Sequence, residues 1–173
     1  VSTPPDLRSL DGASPAAFVA AVGPLFEHAP RFLARLAAER PFATWDDLFE
    51  SGRRTAHAMP EAEQIELVNA HPRLGAESST VSDLSFREQG YQRSAPRPPD
   101  DALAVELAGL NEAYEARFGF RYCVVVAGRS QASLLPDIRA ALEADRGAEL
   151  HRALDAVVDI AQSRLVAMRE GAS

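Results

Sequence analysis

The chain has 173 residues, of which 46% are hydrophobic and 25% charged; this suits one globular domain with a single packed core and excludes a disordered, collagen-like or coiled-coil array. Eighteen Lys and Arg stand against 25 Asp and Glu, a formal charge of −7, so a general attraction to nucleic acid or to an anionic membrane is disfavoured on electrostatic grounds. The single cysteine, Cys123, can form no internal disulfide and, without a second thiol, no cysteine-held zinc or iron–sulfur site, which points to a reducing compartment.

No stretch approaches the roughly 18 to 20 consecutive apolar residues that span a bilayer, and the first residues lack the basic start and apolar core of a signal peptide. The last four, Glu170-Gly171-Ala172-Ser173, are not a peroxisomal address. These features lead to the expectation of a soluble, cytoplasmic protein.

Ala, Leu, Arg and Glu dominate and β-branched runs are scarce, which predicts a mainly helical fold. Ser14-Pro15 is an N-cap followed by proline at the first helical position, with Phe18, Val19, Val22 and Phe26 at helical spacing. Pro30 opens a second helix that turns Phe32, Leu33 and Leu36 inward and stops before Pro41. Thr44 caps a third, with Trp45, Leu48 and Phe49 as its apolar stripe. A fourth starts at Pro60, carries Ile65, Leu67 and Val68, and ends at His71, because Pro72 disfavours the α conformation in the residue before it.

From Arg73 to Pro99 the chain is rich in Ser, Gly and Pro, with a short helical turn expected at Leu84 to Gln89. Irregular stretches of this length in a compact domain tend to carry function or to move. Asp100 to Phe118 reads as a strong helix with Leu103, Leu107, Leu110 and Tyr114 on one side and Gly119 as its C-cap. Phe120 to Val126 has high β-propensity but no convincing partner segment, and is read as a buried extended connector. Two helices follow, Gln131 to Ala144 and Ala148 to Met168, the second with Leu150, Leu154, Val157, Val158, Ile160, Ala161 and Leu165 as its core face. The expectation is an all-α fold: one multi-helix domain over 1–173, with a loosely ordered lead at 1–13, a long irregular segment and one short extended connector.

The sequence has no phosphate-cradling glycine loop, His-Glu-x-x-His helix, Gly-x-Ser-x-Gly elbow or acidic calcium loop, so most familiar cofactor and nucleophile systems are absent. His71, in Asn69-Ala70-His71-Pro72-Arg73-Leu74-Gly75, stands at a helix end facing the irregular stretch, where an imidazole can exchange protons near neutral pH. The same position also suits a histidine that merely complements a helix dipole. Ser85, Glu88 and Gln89 share one face if their turn is helical, and could offer a planar heterocycle several hydrogen bonds and a base; the same Ser-x-x-Glu pattern is an ordinary capping box. In Asn111-Glu112-Ala113-Tyr114-Glu115-Ala116-Arg117-Phe118, Tyr114 and Phe118 read as core and Glu112 with Arg117 as a solvated face. The unpaired connector presents backbone groups that a ligand could satisfy. Arg164, beside the apolar stripe of the last helix, needs an anionic partner from the protein or from a substrate.

In their order these stretches resemble the 2-oxo-4-hydroxy-4-carboxy-5-ureidoimidazoline (OHCU) decarboxylases of urate degradation, from about Phe18 to Arg164. The resemblance is carried by Phe26-Glu27-His28-Ala29-Pro30, Arg40-Pro41-Phe42-Ala43, His-Pro-Arg-Leu-Gly at 71–75, Ser-x-x-Glu-Gln at 85–89, Asn-x-x-Tyr-x-x-Arg-Phe-Gly at 111–119, Ala127-Gly128-Arg129-Ser130 and Arg164-Leu165. It implies an all-helical, cofactor-free homodimeric enzyme that converts OHCU to (S)-allantoin and carbon dioxide. By the same resemblance His71 is the catalytic histidine and Glu88 its acidic partner. Pro72, Ser85, Gln89, Arg164 and the connector at Phe120, Tyr122 and Val124 hold the substrate. The chain departs from the family pattern at Gly90-Tyr91-Gln92 and at Phe120-Arg121-Tyr122-Cys123, which bears on the shape of the pocket. Two other readings stay open at this point: a related lyase acting on another ureido or imidazolone acid, and a catalytically silent module that binds a purine-derived metabolite or a partner protein.

Overall fold

Helix boundaries in the computed structural model, which describes residues 5–76, 84 and 101–170, fall where capping chemistry puts them. Helix α1 is Leu7–Asp11, α2 Pro15–Val22, α3 Pro30–Ala38, α4 Trp45–Ala58, α5 Glu61–Ala70, α6 Asp101–Phe118, α7 Gln131–Ala141 and α8 Arg146–Glu170, with a 3-10 turn at Gly23–Phe26. Ser14 accepts from the backbone of Ala17 and Ser130 from that of Ser133. At α4 the reciprocal pair is complete, Thr44 Oγ1 accepting from the Asp47 N–H and Asp47 from the Thr44 N–H. Among the described residues there is no strand, and the chain is all-α. No described helix is long and apolar enough to cross a membrane.

Three expectations are corrected in detail. Within the expected loose lead, residues 7–11 form α1, because Asp6 caps it by accepting from Ser9 and because Leu7 and Leu10 are buried. Phe26 belongs to the 3-10 turn and not to the preceding helix, which closes at Val22. The break between the last two helices falls earlier, with α7 ending at Ala141 and α8 running from Arg146 to Glu170. Apart from Leu84, the turn expected at Leu84 to Gln89 lies outside the described residues.

The core is built around α8, which packs on α4, α5 and the 3-10 turn. Leu150, Leu154, Val157, Val158, Ile160, Ala161 and Leu165 are all buried, as their spacing predicts. Phe26 is buried with its ring 4.9 Å from that of Phe32 and 6.5 Å from that of Phe49, so the 3-10 turn is anchored in the core. Truncating such a side chain removes about 3 to 5 kcal/mol, enough to hold the residues that follow Phe26 in place. Tyr114 and Phe118 of α6 form a second aromatic group with Phe120 and Tyr122. The segment from Phe120 to Val126 is neither helix nor strand, and Phe120, Tyr122, Cys123 and Val126 are buried. It is the buried connector read from the sequence.

Candidate active site at the end of α5

Helix α5 stops at Ala70 and leaves His71 extended, at φ −76° and ψ 141°, as a residue before proline should be. Each residue after it is tied down. Arg73 makes a two-pronged pair with Glu115 of α6, at 2.7 and 2.6 Å. Leu74 is buried and its carbonyl accepts from Asn111 Nδ2 at 2.9 Å. Gly75 lies at φ +77°, left-handed backbone that favours glycine, and a Cβ there would meet the Leu107 side chain. On the other side, the Arg121 guanidinium donates to the carbonyls of Asn69 at 2.8 Å and His71 at 2.9 Å, while the Arg121 N–H donates to Asn69 Oδ1 at 2.8 Å. A cation thus caps the negative end of α5 and joins it to the connector.

His71 is held inside this frame with 3% of its surface exposed. Its Nδ1 lies 3.4 Å from the Leu67 carbonyl. A carbonyl only accepts, so this contact, although long, puts the ring proton on Nδ1 and leaves Nε2 as an acceptor. Nε2 is fully buried and has no partner among the described residues. Burial, and after it the charge of Arg164, push the imidazole down to about 4, against the opposing pull of Glu27 and the Leu67 carbonyl. The ring is therefore neutral near pH 7.

Arg164 of α8 meets the 3-10 turn from beneath. Its Nη1 donates to the carbonyls of Pro24 and Leu25, and its Nη2 to Glu27 Oε1 at 2.7 Å. The pair is buried, with side chains 3% and 10% exposed. The anionic partner that Arg164 requires is thus supplied by the protein itself. Glu27 reaches it because it and His28 both adopt left-handed backbone, at φ 49° and 57°. Such angles are uncommon outside glycine and cost energy that the surroundings must offset. Here Phe26 anchors one side and the His28 N–H donates to the Gly23 carbonyl at 2.9 Å. Nothing in the sequence marks Glu27 for this part, because two successive left-handed residues leave no periodic trace.

The connector is positioned by a second network. The Arg152 guanidinium donates to the Cys123 carbonyl at 2.9 Å and to Glu149 Oε1 at 2.8 and 2.7 Å, and lies over the Tyr122 ring. Glu149 Oε1 also accepts from the Tyr114 hydroxyl at 2.6 Å. Consequently the rings of Phe120 and Tyr122 belong to the core, and what this segment can offer a ligand is main chain. Among the described residues the half-buried backbone groups of Val124 and Val125 make no hydrogen bond.

Of the residues singled out from the sequence, the structure brings together His71 and Arg164, and links the start of the connector to His71 through Arg121. Pro72 is half-buried beside His71. Ser85, Glu88, Gln89 and Gly90-Tyr91-Gln92 lie outside the described residues. Among those described, no group of three or more His, Cys, Asp or Glu is arranged to hold a metal ion. A separate open cleft of about 450 Å³, lined by Asp6, Arg8, Thr44, Trp45, Asp46 and Arg169 among others, contains none of these groups.

The fold is similar to that in the crystal structure of (S)-allantoin synthase, with a TM-score of 0.65 at 19% identity over 95% of this chain and 54% of that one. It is also similar to that of an OHCU decarboxylase crystallised in the presence of (S)-allantoin, with a TM-score of 0.60 at 21% identity over 82% and 92% of the two chains. A sequence profile goes further than the fold: that of OHCU decarboxylase matches residues 11–166, and the chain belongs to this family. It is 31% identical over 159 residues to 2-oxo-4-hydroxy-4-carboxy-5-ureidoimidazoline decarboxylase of Halalkalicoccus jeotgali, spanning 92% of this chain and 89% of that protein. It is 35% identical over 144 residues to the uric acid degradation bifunctional protein PucL of Bacillus subtilis, of whose length it spans 28%.

Proposed function

We propose that this chain is a carboxy-lyase that converts OHCU to (S)-allantoin and carbon dioxide during urate breakdown, without a cofactor. Family membership supports the reaction, and the observation that carries the mechanism is the buried neutral imidazole of His71, its Nε2 unpartnered among the described residues. In OHCU the carbon that bears the carboxylate also bears a hydroxyl and adjoins a C=N bond. When the C–C bond to the carboxylate breaks, its electron pair forms a C=C bond and the C=N pair moves onto nitrogen, which takes up a proton. Loss of the hydroxyl proton then makes the ring carbonyl, while the neighbouring carbon takes a proton on one face. The substrate has exchanged carbon dioxide for one proton, using its own imine as the electron sink.

The protein is left with orientation, exclusion of water and delivery of that proton. His71 Nε2 accepts the hydroxyl proton and returns it to the planar intermediate, and Glu88 orients the imidazole or shares the transfer. Arg164, Pro72, Ser85 and Gln89, with the main chain of Phe120, Tyr122 and Val124, hold the ring, the ureido arm and the carboxylate. The reading includes a homodimer in the cytoplasm, where Cys123 stays reduced.

The test is circular dichroism of allantoin formed after OHCU is generated in situ from urate. A rapid signal of (S) sign is expected from the wild type. In His71→Asn it should fall by about 10²-fold or more with the helical spectrum intact. Wild-type turnover in His71→Asn would remove the assignment of that residue, and only slow racemic product from the wild type would remove the reaction.

A further inference from the structure

The end of α5 is not finished by its own chain. The last carbonyls of a helix have no partner within it, and the N–H groups of the residues that follow ordinarily meet some of them. Here the His71 N–H donates to the Val68 carbonyl at 3.1 Å, but the next residue, Pro72, has no N–H to give. The His71 ring has its own contact with the Leu67 carbonyl, at 3.4 Å. That is too long to hold the ring against a shift of the main chain that carries it.

Arg121 completes the helix end from 50 residues away. One atom, Nη1, donates to the Asn69 carbonyl at 2.8 Å and to the His71 carbonyl at 2.9 Å, and the Arg121 N–H donates to Asn69 Oδ1 at 2.8 Å. Asn69 and Arg121 therefore grip each other through backbone and side chain alike. The two segments so joined are each anchored by other means. Leu67 and Val68 of α5 are buried, and α5 packs on α8. The connector is fixed by the buried rings of Phe120 and Tyr122 and by Arg152 on the Cys123 carbonyl at 2.9 Å. What the clamp adds is the placement of one segment on the other.

That placement matters to the chemistry. The imidazole that moves the proton stands on the first segment, and the half-buried main chain of Val124 and Val125 on the second. We infer that Arg121 is a positioning residue, which through the His71 carbonyl sets the point from which the imidazole exchanges its proton, and through Asn69 sets that point relative to the main chain of the connector. The inference deepens the proposed function and rests on its assignment of His71 and the connector. Arg121 touches no reacting atom. It places the His71 main chain, whatever share of the work on the ring falls to Glu88.

The test compares wild type with Arg121→Met and Arg121→Lys, by OHCU kinetics and by nitrogen NMR of the imidazoles at pH 7, the His71 signals being those absent from His71→Asn. Met fills much of the same space without a donor. Lys keeps a cationic nitrogen with three donors, and because both bonds to the α5 carbonyls leave a single atom, it can remake them. In Arg121→Met kcat should fall by about 10²-fold, the effect of a misplacement of about 1 Å, with KM within about threefold of wild type. Its His71 ring should pass from the single Nδ1–H form to a mixture of tautomers. Arg121→Lys should keep that single form and a kcat within about fivefold of wild type.

Wild-type kcat in Arg121→Met, an unchanged His71 ring in that variant, or equal losses in Met and Lys would reduce Arg121 to a packing role. A raised KM with kcat unchanged would make it a binding contact instead. An Arg121→Met chain that fails to fold would contradict the premise that the two segments are anchored without the clamp. If the wild type does not turn over OHCU, the reaction assignment fails on that result alone, while the His71 tautomers of the two variants still decide whether Arg121 holds the ring.

Discussion

Helix α8 carries two arginine–glutamate pairs about three turns apart, and they are finished differently. At the first, Arg152 and the buried Glu149 are joined by the Tyr114 hydroxyl, the Cys123 carbonyl and the face of Tyr122. Burial and then the Glu149 hydrogen bond raise the Tyr114 phenol well above its ordinary range, and burial holds Tyr122 up at about 12, so both stay protonated. At the second, Arg164 and Glu27 lie beside an imidazole whose Nε2 has no partner among the described residues. A buried polar atom without a hydrogen bond costs about 1 to 3 kcal/mol. The difference separates a network that closes on itself, and so holds shape, from one that leaves an acceptor over among the described residues.

The largest effect that sharpens this contrast is expected at the closed network. Glu149→Ala leaves the half-buried Arg152 without its carboxylate and Tyr114 without its acceptor, and should lower unfolding free energy by about 4 kcal/mol, read as a shift of the urea midpoint at unchanged slope. A loss below about 1 kcal/mol would show that the network is not structural. His71→Asn should instead leave the midpoint at pH 7 nearly unmoved while turnover collapses.

Acid should separate the two regions next. The folded-state value of His71, about 4, lies below its ordinary 6.5, so the unfolded chain binds the extra proton between these values. His71 therefore contributes stability that is complete above about pH 6.5 and is lost as pH falls toward 4, on the order of 3 kcal/mol in all. Urea unfolding at pH 7, 5.5 and 4.5 should show this loss in the wild type and a shallower one in His71→Asn; parallel curves would contradict the burial of a neutral ring. The smallest effect is that of Tyr114→Phe, which removes one of the donors to Glu149 and keeps Arg152 in place. It should cost about 1.5 kcal/mol and leave the KM for OHCU within about twofold; a large rise in KM would mean that the closed network also shapes the pocket.

How much of this could be read beforehand follows from which interactions are local. Caps at Ser14, Thr44 and Ser130, prolines at helix starts and the stop at His71 act over a few residues, and the sequence states them directly. The same holds for the apolar face of α8. The helix α1 escaped because its stripe is only Leu7 and Leu10, too short to show a period. Arg164 was legible as a buried cation in need of an anion, but not Glu27, whose approach depends on backbone handedness across a chain separation of 137 residues. Arg121 was noticed as an oddity of the connector, and its purpose appears only once the end of α5 lies against it.

That both pairs hang on one unbroken helix has a consequence for how the chain can vary in length. A residue added or removed between Arg152 and Arg164 would turn one end of α8 against the other by about 100° and shift it by about 1.5 Å. Arg152 could keep its place under the connector only if Arg164 swung away from the 3-10 turn, or the reverse. The residues between α7 and α8, Leu142 to Asp145, lie outside both arrangements. Length can change there at smaller cost, whereas from 152 to 164 the helix serves as a ruler, closed to insertion.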